Sequence, residues 1–142
     1  MQIIEVDEYT NVVASVLKKK KKILISSRPR GKKFPGLYEF PGGKLNTGEY
    51  LIEALAREIK EELGVKIDLN KVYFLKSYKI IQKSKKINLH FFLCLKWSGD
   101  PVGLEEQTLK WIFPHELKNH NLLKSNLKFT NYLLRNIFPT TN

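Results

Sequence analysis

One segment of this 142-residue chain changes period, and that change limits the folds open to it. Over residues 50–63 the apolar side chains Leu51, Ile52, Leu55, Ile59 and Leu63 recur at helical spacing. Asn46 or Thr47 is available as the cap, and Gly64 stands where the helix should end. The flanking segments read differently. Residues 12–17 and 23–27 are short and rich in β-branched side chains, which predicts two strands joined by a hairpin turn through the lysine run at 18–22. Proline and glycine mark residues 28–36 as a loop, and residues 37–40 read as a short strand stopped by Pro41, Gly42 and Gly43. Beyond the helix, residues 72–81 and 87–97 predict an antiparallel pair linked by the polar stretch 82–86, and residues 98–101 make a turn. Residues 109–113 give another strand, Pro114 opens a short helix, and residues 127–137 form a closing helix. Strands, helix, strands, helix in this order imply the α/β class, a mixed sheet covered by helices.

The whole chain, residues 1–142, fits a single domain large enough to bury a core without disulfides. With 42% hydrophobic and 27% charged residues it lies outside the disordered class. The single cysteine, Cys94, sits in an apolar run and reads as a small core side chain, which suits a reducing cytoplasm. Residues 1–8 carry acids where a signal peptide needs a basic and then apolar start, and no run approaches membrane-spanning length. Neither a membrane nor a leader enters the expectation.

A net charge of +11 attracts polyanions. Yet of 25 basic residues only Arg28, Arg30, Arg57 and Arg135 are arginine, the residue whose planar fork suits reading of bases and phosphates. The lysines therefore read as solvated surface, the run at 18–22 as a solvated turn, and no stable nucleic-acid partner is expected.

Chemistry concentrates on the helix. Glu58, Glu61 and Glu62 stand at i, i+3 and i+4 and share an arc of roughly 100° beside the apolar stripe. Each like-charge pair at this spacing disfavours the helix by roughly 0.2 to 0.5 kcal/mol, and partial desolvation adds to that. On the helical wheel Arg57 and Lys60 point away from the arc, so a hard divalent cation would supply the missing charge while keeping positions for water and phosphate. Upstream, Gly42 and Gly43 let the backbone approach a phosphate or metal closely, and Lys44 can meet a phosphate as a point charge.

Gly43, five residues, Glu49, seven residues, Arg57-Glu58-Ile59, one residue, Glu61-Glu62, one residue, Gly64-Val65 resembles the Nudix box at every fixed position. The resemblance implies a Nudix-type α/β/α sandwich that binds Mg²⁺, with Mn²⁺ as the alternative, on a nucleoside diphosphate linked to another group. It further implies Glu58, Glu61 and Glu62 as metal ligands with the Gly42 carbonyl beside them, Arg57 orienting Glu58, and Glu49 bracing the loop. Glu58 is the preferred general base. Residues 37–44 and 97–105, leading to Trp111, are similar to the MutT branch of the family, which hydrolyses 8-oxo-dGTP to the monophosphate and pyrophosphate. On that likeness Glu105 is a further ligand or the alternative base; the other reading is an acid in a polar loop. Arg28 falls on the phosphate side, Phe40 at the base-stacking position, Asn126 at the purine-reading position, and Lys85 where an arginine would lie over the base. Phe40 is also readable as a core side chain.

The expected protein is thus a monomeric, cytoplasmic, Mg²⁺-dependent pyrophosphohydrolase of purine nucleoside triphosphates, preferring 8-oxo-dGTP and cleansing the nucleotide pool. The runner-up is a pyrophosphatase of ADP-ribose or another nucleoside diphosphate conjugate. A nucleic-acid-binding module with an inactive box is the third reading, and the intact acids stand against it.

Overall fold

The computed structural model describes residues 8–140, so the reading of the first seven residues lies outside the described part. Nine strands and two helices follow one another as β1 (Thr10–Lys19), β2 (Lys22–Ser27), β3 (Tyr38–Glu39), β4 (Gly42–Lys44), α1 (Leu51–Leu63), β5 (Lys66–Ile67), β6 (Val72–Gln82), β7 (Lys85–Cys94), β8 (Trp97–Ser98), β9 (Leu109–Ile112) and α2 (Leu127–Tyr132). The order across the main sheet is β3-β2-β1-β7-β6, with β4 also on β1 and β9 also on β2. β1 and β7 run parallel and the other main-sheet pairs are antiparallel, so the sheet is mixed, as the element order implies. β5 and β8 form a separate two-stranded ribbon.

Alternation along β1 decides the layers. Val13 and Leu17 pack on one face with Leu55, Ile59 and Leu63 of α1, all fully buried. Ala14 and Val16 point the other way, into a cluster with Ile23, Ile25, Phe91, Phe129 and Leu133. In that second layer Phe91 and Phe129 stack with centroids 3.7 Å apart. The result is a helix, sheet, helix sandwich with a core on each face, and Cys94 is buried in the α1 layer as expected. Burial of each of the larger side chains contributes about 1.5 to 3 kcal/mol.

Four local expectations are corrected. Pro41, Gly42 and Gly43 do not stop the chain, because Gly42–Lys44 pairs with Val12, Val13 and Ala14 of β1 as β4. Only glycine fits there: a Cβ on Gly42 would lie 1.9 Å from the Val13 carbonyl oxygen. Neither Asn46 nor Thr47 caps α1. Asn46 is spent in its own turn with Glu49, and the N-cap is Tyr50, whose backbone N–H donates to the Glu53 carboxylate at 2.9 Å. β7 ends at Cys94 rather than at Trp97, because Trp97 and Ser98 leave to pair with β5. The closing helix is α-helical only to Tyr132 and finishes as a π-helix over Leu133–Ile137. Gly64 does end α1, in the left-handed conformation with φ 72° that glycine adopts without strain.

Candidate active site

β4, the turn after it and α1 form a frame around one guanidinium. Arg57 donates through Nε to Glu49 Oε2 at 2.7 Å and through Nη2 to Glu49 Oε1 at 2.9 Å. The same Nη2 reaches the Lys44 carbonyl at 2.8 Å, which ties the last residue of β4 to the helix. Glu49 also accepts from the Asn46 backbone N–H at 2.7 Å, so one carboxylate closes the turn and holds the arginine. These bonds, Arg57 first, hold the Glu49 carboxyl below its ordinary range and raise Arg57 further above its own. The wheel reading of Arg57 needs correction. Its Nη1 lies 2.9 Å from Glu58 and 3.3 Å from Glu61, because a side chain this long bends back across the turn that its Cβ leaves.

Glu58 is pressed against the glycine loop. A Cβ on Gly43 would meet the Glu58 carboxyl carbon at 2.3 Å, so the missing side chain is the space the carboxylate occupies. Glu62 is 7% exposed, and no side-chain hydrogen bond or ion pair reaches its carboxylate among the described residues. Burial pushes its pKa up to about 8; Lys32 opposes the rise, while Glu58, Glu105 and Glu39 add to it. Glu61 is the most open of the three, with 57% of its side chain exposed.

Glu105 is brought to this group by the end of α1, whose last carbonyls have no partner within the helix. Val102 N–H donates to the Leu63 carbonyl, and Leu104 N–H to that of Glu62, each at 3.0 Å. Buried Gln107 then clamps the loop: its Nε2 donates to the Glu62 carbonyl at 3.1 Å, and its Oε1 accepts from Glu105 N–H at 2.8 Å. Glu58, Glu62, Glu105 and Glu39 therefore share one field, and the donor chemistry, carboxylate oxygens with excess negative charge, fits a hard divalent cation. No three His, Cys, Asp or Glu side chains among the described residues already close into a ligand cluster, and Arg57 pairs with Glu58 and Glu61 as well as with Glu49.

The nucleotide-side residues fall into two groups. Phe40, 3% exposed, is packed edge-on against Phe91 and Phe129, so its ring lies in the core rather than on an open stacking surface. Asn126, 4% exposed, accepts the Phe40 backbone N–H on Oδ1 at 3.2 Å and donates from Nδ2 to Ser125 at 3.3 Å. These two are therefore joined across 86 positions of sequence. Arg28 is held by Glu39 at 2.6 Å and by the Lys33 carbonyl. Lys85 stands near Lys33 and Lys44, and their ammonium groups, Lys33 foremost, hold its pKa below the ordinary range.

Residues 8–133 match the NUDIX domain family, nearly all of the described chain. The chain belongs to the NUDIX family. An 8-oxo-dGTP diphosphatase of Buchnera aphidicola (subspecies Schizaphis graminum) is 38% identical, over 92% of this chain and 98% of that one. A CTP pyrophosphohydrolase of Escherichia coli is 31% identical, over 82% and 84%. The solution structure of the E. coli ORF135 protein superposes with a TM-score of 0.80 at 29% identity, covering 94% of this chain and 96% of that one.

Within this NUDIX chain, two site neighbours escape a reading by sequence. Gln107 is a glutamine in a polar loop, and only its burial reveals that it fixes Glu105. Glu39 lies in the stretch that carries the MutT likeness, and its pairing with Arg28 depends on β2 and β3 being neighbours.

Proposed function

We propose that this single-domain chain is a divalent-metal-dependent nucleoside triphosphate pyrophosphohydrolase, monomeric and cytoplasmic, with 8-oxo-dGTP as its preferred substrate. The observation that carries the reading is the acid group on α1. Glu62 is buried with no ion pair to its carboxylate among the described residues, in the field of Glu58 and Glu105, on a helix tied to a glycine loop through Arg57. Glu58, Glu61, Glu62, Glu105 and the Gly42 carbonyl would hold Mg²⁺, or Mn²⁺ in its place. When bound, such an ion neutralises charge on the phosphate oxygens and sharpens the acidity of water.

The protein's own residues do the rest. Gly43 and Lys44 lie where the phosphate chain would approach, Gly43 by leaving the backbone bare and Lys44 by its charge. Glu58 takes the proton of the attacking water, with Glu105 as the alternative acceptor, while Arg57 fixes the Glu58 carboxylate at 2.9 Å. Attack at phosphorus breaks one anhydride bond, the oxygen from water stays on the phosphoryl group attacked, and the leaving phosphate takes the bond's electron pair. The products are a nucleoside monophosphate and pyrophosphate.

The substrate follows from the 38% identical relative named 8-oxo-dGTP diphosphatase and from the Phe40–Asn126 pair, whose backbone and amide groups could exchange their mutual bond for bonds to a purine. A second reading, a pyrimidine triphosphate, is favoured by the 31% identical CTP pyrophosphohydrolase and by the buried Phe40 ring, which offers a purine no stacking face. The residues most exposed to test are Glu58 and Glu61. Glu58→Gln or Glu61→Gln should lower kcat by about 100-fold or more with Tm within a few degrees of the parent. Rates near those of the parent would overturn the assignment of the site.

A further inference from the structure

The lysine turn reads by sequence as a solvated loop, and the structure adds what sequence spacing does not give: aromatic rings beside it. Lys19, Lys20, Lys21 and Lys22 border an open groove of about 560 Å³ whose other walls are Trp111 and Phe113. A smaller groove of about 270 Å³ adjoins it, shares Lys19 and Lys20, and brings in Lys96 and Trp97. Trp97 and Trp111 stack with centroids 6.0 Å apart and planes 16° from parallel, so the two grooves meet on one aromatic wall. Phe113, 38% exposed, carries the Lys22 ammonium 5.2 Å from its ring centre and stacks on His115 at 5.8 Å.

The charge here has no internal answer. No acid lines either groove, and every ion pair among the described residues belongs to Arg28 or Arg57. The nearby Glu116 is turned to cap Phe113, accepting its backbone N–H at 2.9 Å. Lysines that line one pair of grooves put like charges on one surface, and a polyanion laid along them neutralises that charge. A flat ring beside a point charge, repeated across two joined grooves, matches the base and phosphate of a strand whose bases are unpaired. A duplex hides its bases and would use the lysines alone.

We propose that the lysine hairpin of β1 and β2, with Trp97, Trp111 and Phe113, is a binding site for single-stranded nucleic acid. The lysine end of β1 stands apart from the glycine loop of β4. β4 pairs with β1 at Val13, and Lys19 lies six residues farther along that strand, about 20 Å at the usual rise.

Fluorescence anisotropy with a labelled 12-nucleotide oligothymidylate, at 50 to 300 mM salt and with Mg²⁺ present, tests this. Contact with three or four phosphates gives a log–log salt slope of about −2 to −3. The Lys19→Gln/Lys21→Gln/Lys22→Gln triple variant should weaken binding about tenfold or more and flatten that slope. Phe113→Ala should weaken it about fivefold at an unchanged slope. Triphosphate hydrolysis should be unaltered in both variants, which also reports that they fold. No binding at 50 mM salt, parental affinity in either variant, or equal affinity for the duplex of the same length would overturn the proposal. Retention on phosphatidylserine vesicles without oligonucleotide binding would also overturn it and assign the lysines to a membrane surface.

Discussion

Two adjacent glycines serve different structures. At Gly43 the obstacle to a side chain is the Glu58 carboxylate, the end of a flexible chain that can move away. Gly43→Ala should therefore fold, with Tm within a few degrees of the parent, and lose about tenfold or more in kcat because Glu58 is displaced; a parental kcat would detach Glu58 from the chemistry. Glu62 gives the residue scale its pH dependence. Its carboxyl ionises near 4.5 in an unfolded chain and near 8 in the folded one, so folding favours the protonated form. Stability from this group is complete below pH 4.5 and is lost as pH rises through about 8. In a chelating buffer Glu62→Gln, which stays neutral, should melt several degrees above the parent at pH 8.5 and close to it at pH 4.5. Parallel melting curves at both pH values would contradict the burial argument.

β4 is the element that binds loop to sheet. A methyl group on Gly42 meets backbone rather than side chain, with the Val13 carbonyl oxygen at 1.9 Å, so the strand itself must shift. Gly42→Ala should lower Tm by 5 °C or more, in contrast with Gly43→Ala, and equal melting of the two would sink that distinction. The same element marks what sequence could and could not reveal. α1 was legible because Leu55, Ile59 and Leu63 repeat at its period and Gly64 ends it, and β1 because residues 12–17 form a short stretch rich in β-branched side chains. β4 was not, since glycine and proline signal turns locally, and only the register opposite Val12, Val13 and Ala14 makes a strand of them. Acid spacing likewise disclosed Glu58, Glu61 and Glu62 on one arc, whereas the reach of Arg57 to Glu49 and Lys44 depends on a turn whose path no periodicity specifies. Phe40 illustrates a remaining limit: one residue serves the core through its ring and Asn126 through its backbone, and both uses arise from contacts distant in sequence.

Taken as a whole, the molecule distributes its charges unevenly. Net charge is +11, yet Glu39, Glu58, Glu62 and Glu105 are gathered at one site, while lysines crowd the far end of β1. Under the proposed function the acid group would select the metal-bound form of a nucleoside triphosphate. No helix among the described residues is long and apolar enough to cross a membrane. The most direct test presents the protein and Mg²⁺ with 8-oxo-dGTP, dGTP, CTP and ADP-ribose in parallel and compares kcat/KM from pyrophosphate and monophosphate release. The highest value is expected for 8-oxo-dGTP, about tenfold or more above dGTP, with pyrophosphate as the coproduct. A preference for ADP-ribose, or no hydrolysis of any triphosphate, would contradict it.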